Sequence, residues 1–151
     1  MNDVTERPAN GGDAPRITAL MRAAYGIYVP RFGRSIPPLE ADYTEELNHC
    51  DAWVLEAGGH LCGALFLSPQ SDHMLLVNVA VDPANQGRGL GRRLIEKAED
   101  ETRKRGYTEI RLFTHAGMSE NIALYTRLGW LEYERREEAG VPRVFMRKFL
   151  T

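Results

Sequence analysis

Between Met74 and Arg105 the chain reads as an apolar strand, a glycine-rich turn and a long helix in direct succession. Met74-Leu75-Leu76-Val77-Asn78-Val79-Ala80-Val81 is a nearly continuous apolar run of strand length, as expected of a central strand covered on both faces. Gly87, Gly89 and Gly91 follow at alternate positions. Leu94, Ile95, Ala98 and Thr102 then recur on one helical face until Gly106 ends the pattern. The glycines remove side chains that would hold an anion away from the backbone. The first-turn N–H groups of the helix lack intrahelical partners and lie at its positive end. Such a place suits a pyrophosphate. Arg88, Arg92 and Arg93 add cations whose geometry matches phosphate.

The remaining segments fit around this unit. Val4–Arg7 reads as a short strand. A helix starts near Ala14, with Ile17, Leu20, Met21 and Ala24 at helical spacing. Tyr25 to Leu39 mixes aromatics with Pro30, Pro37 and Pro38 and is expected to be an irregular connector. A second helix is predicted over Glu40–Asn48. Ala52–Ala57 and Leu61–Ser68 flank Gly58-Gly59 as a hairpin. Beyond the long helix come a strand at Ile110–Thr114, a short helix at Asn121–Leu128 stopped by Gly129, and a final antiparallel pair, Trp130–Arg136 and Arg143–Leu150. This order predicts an α/β fold.

Composition excludes several classes. The 151 residues predict a single domain over 1–151, with its core over about 4–150, able to bury roughly 70% of its unfolded surface. An apolar fraction of 43% with 26% charged residues is globular rather than disordered. A pI near 6.1 argues against a general nucleic-acid binder. Cys50 and Cys62 are too few for a disulfide framework or a cysteine-only zinc site, so they read as reduced thiols, and no metal site is expected. The polar N-terminus lacks an apolar signal core, and Leu61–Leu67 covers about a third of a membrane span. The expectation is a cytoplasmic protein that engages neither nucleic acid nor membrane. The net charge of −2 hides an asymmetry: Ser35–Gly87 carries eight carboxylates and no Lys or Arg, whereas Arg88–Thr151 carries 14 basic and 10 acidic residues.

The phosphate loop is not a Walker loop, since GxxxxGK[ST] is absent. It is not a dinucleotide fingerprint either, because the sixth position from Gly87 is Arg92. Gln86-Gly87-Arg88-Gly89-Leu90-Gly91 fits Q/R-x-x-G-x-G/A and resembles the acetyl-coenzyme A loop of the GNAT N-acetyltransferase superfamily. Asn121-Ile122-Ala123-Leu124-Tyr125-Thr126-Arg127-Leu128-Gly129-Trp130 resembles the same family's later N-x-x-L-Y-x-x-x-G-[FWY] segment, at the expected distance. The resemblance implies a GNAT-like acyl-CoA N-acyltransferase fold: a mixed, mainly antiparallel sheet of about six or seven strands with about four helices. It also implies acetyl-CoA as co-substrate and transfer of its acetyl group to a primary amine, of a small molecule or of an exposed protein or peptide, by direct attack in a ternary complex.

By the same resemblance, Val79, Ala80 and Val81 face pantetheine, with the Val79 N–H as donor to the thioester oxygen. Gln86, Gly87, Arg88, Gly89, Leu90, Gly91 and Arg92 hold the pyrophosphate, Asn121 touches pantetheine, and Tyr125 is the general acid to the departing thiolate. The base is less defined. An alkyl amine of pKa ~10 is only about one part in a thousand neutral at pH 7, equivalent to about 4 kcal/mol. Many relatives carry a Glu on the central strand, where this chain has Asn78. Glu40, Asp72, His73, His115 and a water chain all remain candidates, as does a non-catalytic acyl-CoA-binding sensor or partner module. The acceptor groove is expected near Tyr25, Tyr28, Arg31, Phe32 and the loop 137–142, with the acidic middle favouring a cationic amine. The last strands offer a surface for a homodimer.

Overall fold

The computed structural model describes residues 3–151; Met1 and Asn2, part of the expected domain and of its polar N-terminus, lie outside the described residues. The strands are β1 (Thr5–Pro8), β2 (Asp51–Ala57), β3 (His60–Pro69), β4 (Met74–Val81), β5 (Glu109–His115), β6 (Leu131–Glu138) and β7 (Val141–Phe149). They form one sheet in the order β1-β2-β3-β4-β5-β7-β6. Every neighbouring pair is antiparallel except β4–β5. This is the mixed, mainly antiparallel sheet expected.

Six helices complete the described residues: α1 (Ala14–Tyr25), α2 (Tyr28–Phe32), α3 (Pro37–Glu40), α4 (Tyr43–His49), α5 (Leu90–Lys104) and α6 (Ser119–Arg127). Four of them have seven or more residues. The two short ones correct the reading of Tyr25–Leu39 as irregular. Pro30 is the third residue of α2, and Pro37 and Pro38 are the first two of α3. A backbone N–H at these positions has no intrahelical acceptor, so proline removes nothing there. The second expected helix begins at Tyr43 rather than Glu40, because the Asp42 carboxylate accepts the N–H groups of Thr44 and Glu45 and caps α4.

Side-chain alternation along β2 and β3 builds a core on each face. Val54, Ala64 and Phe66 pack with Ile17, Leu20 and Met21 of α1 and Tyr43 of α4. Leu55, Leu65 and Leu67 pack with Leu94, Ile95 and Ala98 of α5 and with Tyr125 and Trp130. A Cβ at Gly63 would lie 3.0 Å from Leu94 Cδ1 and 3.1 Å from Leu55 Cδ1, so glycine lets α5 sit close on the sheet. None of the described helices is long and apolar enough to cross a membrane.

The pairing of β4 departs from regularity in a way that matters below. Phe66 pairs with Asn78 and Leu67 with Leu76, which leaves Val77 as an extra residue and bends the strand. On its other side β4 pairs with β5 only at Met74↔Ile110 and Leu75↔Arg111. Beyond that point the two strands separate.

Candidate functional site

A cavity of about 390 Å³ fills the wedge between the separated strands, with Leu76 to Val79 on one wall and Leu112 to His115 on the other. The backbone of β4 determines what this wedge offers. The Asp82 N–H donates to the Cys62 carbonyl, so that residue points toward β3. Successive residues of a strand point their N–H and C=O to opposite sides. Ala80 and Asn78 therefore face β3, while Val79 and Val81 face the open wedge. The Val79 carbonyl is already engaged, accepting the Tyr25 hydroxyl at 2.5 Å. Its N–H points the same way.

At the exit of β4, Asp82 caps a short 3-10 turn over Pro83–Asn85 by accepting the Ala84 N–H. Gly87 and Gly89 then take φ of +83° and +74°, in the left-handed region that favours glycine. Nothing lies within 4 Å of a Cβ built at either residue, so their outer side is open. Gly89 is the N-cap of α5 and no side chain caps it. The first intrahelical donor is the Arg93 N–H, to the Gly89 carbonyl. The N–H groups of Leu90, Gly91 and Arg92 thus have no partner within the helix. Gly91 serves differently: a Cβ there would lie 3.4 Å from Leu124 Cδ2, where α5 meets α6. Of the expected arginines, Arg92 is exposed and pairs with Glu96 at 3.3 Å. Arg93 turns toward β1, with Glu6 at 3.9 Å and the Val4 carbonyl at 3.4 Å.

Helix α6 places Asn121 and Tyr125 on the cavity wall, together with Tyr25 from α1. Tyr125 is 6% exposed and its ring stands 5.5 Å from that of Trp130. Burial raises its hydroxyl pKa well above the usual tyrosine value. Tyr25 is raised likewise, by burial first and then by the nearby Tyr125. Both phenols remain protonated donors at neutral pH. The open Val79 and Val81 backbone groups, the uncapped start of α5 and this pair of phenols suit an elongated pyrophosphate ligand with an amide-bearing arm. Among the described residues, no group of three or more His, Cys, Asp and Glu could hold a metal ion.

The base candidates separate cleanly. Asp72 and His73 pair with each other at 2.7 Å at the start of β4, beyond the closed end of the wedge. His115 lines the cavity, stacked on Phe32 with ring centroids 3.8 Å apart and planes 5° apart. Its Nδ1 accepts the Gly117 N–H at 2.9 Å, and burial, then Arg34 and Arg143, lower its pKa. The neutral ring therefore carries its proton on Nε2 and has no spare lone pair. Asn78 and Glu40 line the cavity, and so does Glu46, which the sequence did not single out.

The expected acceptor groove is only partly realised. Tyr25 and residues 138, 139 and 141 of the last hairpin line the cavity. Arg31 instead pairs with Glu120 at 2.9 Å, the Tyr28 ring lies beneath the Arg31 guanidinium, and Phe32 backs His115. The acidic middle is mostly structural: Asp42 and Asp82 are caps, Asp51 pairs with Arg105, and Glu56 pairs with Arg7 and Arg16. Arg34, Phe113 and Arg143 also line the cavity and were not anticipated, since the β5–β7 register and the α2–α3 connection together bring them to one wall.

Similarity to known proteins agrees with this geometry. The [Ribosomal protein bS18]-alanine N-acetyltransferase of Escherichia coli strain K12 is 46% identical over 61 residues, covering 40% of this chain and 41% of that protein. The chain thus matches less than half the length of this curated relative. The crystal structure of the ribosomal-protein-S18-alanine N-acetyltransferase from Escherichia coli superposes with a TM-score of 0.81 at 25% identity, covering 99% of this chain and 95% of that one. A PaiA N-acetyltransferase from Thermoplasma acidophilum, solved in complex with coenzyme A, shares the fold with a TM-score of 0.83 at 17% identity, covering 97% and 99%. The family model described as Acetyltransferase (GNAT) family matches residues 19–130, well over half of the sequence, and this chain belongs to that family.

Proposed function

We propose that this protein is an N-acetyltransferase that moves the acetyl group of acetyl-CoA to a primary amine by direct attack within a ternary complex. The observation that carries this reading is the wedge between β4 and β5, where the Val79 N–H is left open beside two buried phenols. Acetyl-CoA supplies an acyl carbon already activated as a thioester. The Val79 N–H is the donor to the thioester oxygen, and a donor acting where negative charge develops contributes about 3 kcal/mol. Val81 continues the pantetheine path and Asn121 closes it from α6, whereas Ala80, expected beside them, turns its backbone to β3 and is buried in the α1-side core, so it supports the path only from behind. Gln86 to Arg92 supply backbone N–H groups and the side chains of Arg88 and Arg92 for the pyrophosphate.

As the amine nitrogen bonds to the acyl carbon, the C–S bond breaks and the sulfur takes up charge. Tyr125 is the general acid for that sulfur. Its raised pKa does not disqualify it, because the same burial raises the pKa of a thiol leaving into this apolar wedge. The amine's proton leaves through water toward Glu40 or Glu46, which border the cavity on the α3–α4 side. A homodimer through β6 and β7, whose Leu131 and Phe149 are 62% and 59% exposed, belongs to the same proposal.

Purified protein with acetyl-CoA and an amine panel should release free thiol in a saturable, amine-dependent way. Tight CoA binding with no turnover of any amine would favour the non-catalytic sensor. Binding of ATP or NAD in place of CoA would remove the reading altogether.

A further inference from the structure

The cavity wall opposite β4 carries positive charge and hydrogen-bond donors that the acetyl-transfer machinery does not use. Arg143 on β7 stands directly across from His115 on β5, and its guanidinium lies over the Phe113 ring at 5.0 Å. Its Nε is buried and makes no hydrogen bond, although Glu138 Oε1 lies 3.3 Å away. Glu138 spends its other oxygen on Arg136, at 3.0 Å. Arg34 leans on the β6–β7 turn, its Nη1 3.9 Å from where a Gly140 Cβ would stand, and no ion pair forms to it among the described residues. His115 presents a protonated Nε2, since the Gly117 N–H occupies Nδ1.

This wall is held firmly. A Cβ at Gly117 would fall 2.6 Å from Phe32 Cε1, so only glycine lets that backbone N–H reach His115 behind the Phe32 stack. The wall also stands at the right height. Val79 lies four residues beyond Leu75, and His115 lies four residues beyond Arg111, its partner where the strands last touch, so the two stand at similar height apart from the extra residue Val77 on β4. The arginine wall therefore faces the Val79 N–H across the wedge. Glu40 and Glu46 lie on the third side.

The Arg143 Nε is held to Glu138 by charge alone, while its Nη groups and the Arg34 guanidinium, both on the cavity wall, hydrogen-bond no described residue and are left for a ligand to satisfy. Planar, paired N–H donors fit a carboxylate. Resting on the acetyltransferase reading above, we propose that the acceptor is a small amino-carboxylate, an amine with its own carboxylate a few bonds away. Arg34 and Arg143 hold that carboxylate, with His115 as a further donor. The amine then lies toward Val79, with Glu40 and Glu46 beside it. This places specificity on the last hairpin and the α2–α3 connection, and it favours a free amino acid over a peptide N-terminus, whose carboxylate is tied up in an amide.

The test compares the free proteinogenic amino acids with their carboxamides and the corresponding decarboxylated amines as acceptors. Wild-type enzyme is expected to prefer a carboxylate-bearing amine by at least tenfold in kcat/KM over its carboxamide. R143Q and R34Q should each lose tenfold or more with that acceptor, chiefly through KM, and little with the carboxamide. R143K should recover part of the loss. Calorimetric affinity for acetyl-CoA should not change in any of these variants. Equal or better turnover of carboxamides, or an equal loss by the variants on both acceptors, overturns the proposal while leaving the acetyltransferase intact. If no amine turns over, calorimetry with N-acetyl amino acids and their carboxamides in the presence of CoA decides it: equal affinity, or none, overturns it. Failure to bind CoA at all would instead sink the underlying reading.

Discussion

The two walls of the wedge are built on different plans. The β4 wall, its loop and α5 come from one unbroken stretch of chain and offer mainly backbone groups: the Val79 N–H and the uncapped start of a helix. The facing wall is assembled from α2, the α2–α3 connection, β5 and the β6–β7 hairpin, and offers side chains: Arg34, His115 and Arg143. Backbone groups recognise what is constant in a ligand, since no substitution removes an N–H short of proline. Side chains change one at a time. A shared co-substrate on the first wall and a variable acceptor on the second is what this division suits, and substitutions should therefore damage the two walls separately.

The largest separation is expected at the loop. Gly89→Val forces a β-branched residue into φ near +74°, where even an ordinary L-residue costs roughly 1–2 kcal/mol, and puts a side chain where a phosphate approaches. CoA affinity measured by calorimetry should fall by about a hundredfold or more, which corresponds to ~3 kcal/mol. The circular dichroism spectrum should be retained, because the space around that Cβ is open. Wild-type-like affinity would break the assignment of the β4–α5 loop as the cofactor wall.

Tyr125→Phe comes next and tests where the walls meet. On the proposed mechanism the lost hydroxyl acts only as charge develops, so kcat should drop by one to two orders of magnitude with KM for either substrate little changed. Unchanged kcat would remove Tyr125 from the chemistry.

Gly117→Ala addresses the acceptor wall alone. The new methyl would need the space of Phe32 Cε1, now 2.6 Å away, and overpacking of this kind costs about 1–3 kcal/mol. A lower Tm and a higher acceptor KM are expected, with CoA affinity unchanged. A parallel loss of CoA affinity would mean that the two walls are coupled and the comparison fails.

The unequal legibility of the two walls in the sequence has the same origin. The cofactor wall is contiguous, so glycine spacing, the strand pattern and the helix start could be read together, and the helix over 90–104 lies where periodicity places it. Tyr125 and Asn121 were legible through the second motif. Arg34, Phe113 and Arg143 carry no local signal, because their meeting depends on the register His115↔Arg143 and on α2 and α3 folding over it. The prolines misled for a physical reason: Pro30, Pro37 and Pro38 interrupt long helices but are compatible with the first turn of short ones. The acidic middle was legible only as a sum, because charge counts do not distinguish the caps and ion pairs of Asp42, Asp51, Glu56 and Asp82 from the cavity-lining Glu40 and Glu46.

The smallest expected effect is a pH dependence confined to the acceptor wall. Burial, with Arg34 and Arg143 nearby, lowers the proton affinity of His115 below that of the unfolded chain, whose histidine pKa is near 6.5. Its neutral form therefore contributes stability that is fully present above pH 6.5 and is lost as pH falls through the lower folded value. Protonation puts a second proton on the ring and ends acceptance of the Gly117 N–H, while Glu138 is too engaged with Arg136 and Arg143 to compensate. The depressed carboxylates elsewhere, Asp13 and Glu56 among them, give up their contribution only below about pH 5 and so leave this window clear. Between pH 7.5 and 5.5 the Tm of the wild type should fall by a few degrees at most. His115→Gln should start lower, having lost the Phe32 stack, yet vary less over the same range. A steeper dependence in the variant would show that the histidine is not what titrates there, and would return the pH response to the protein as a whole.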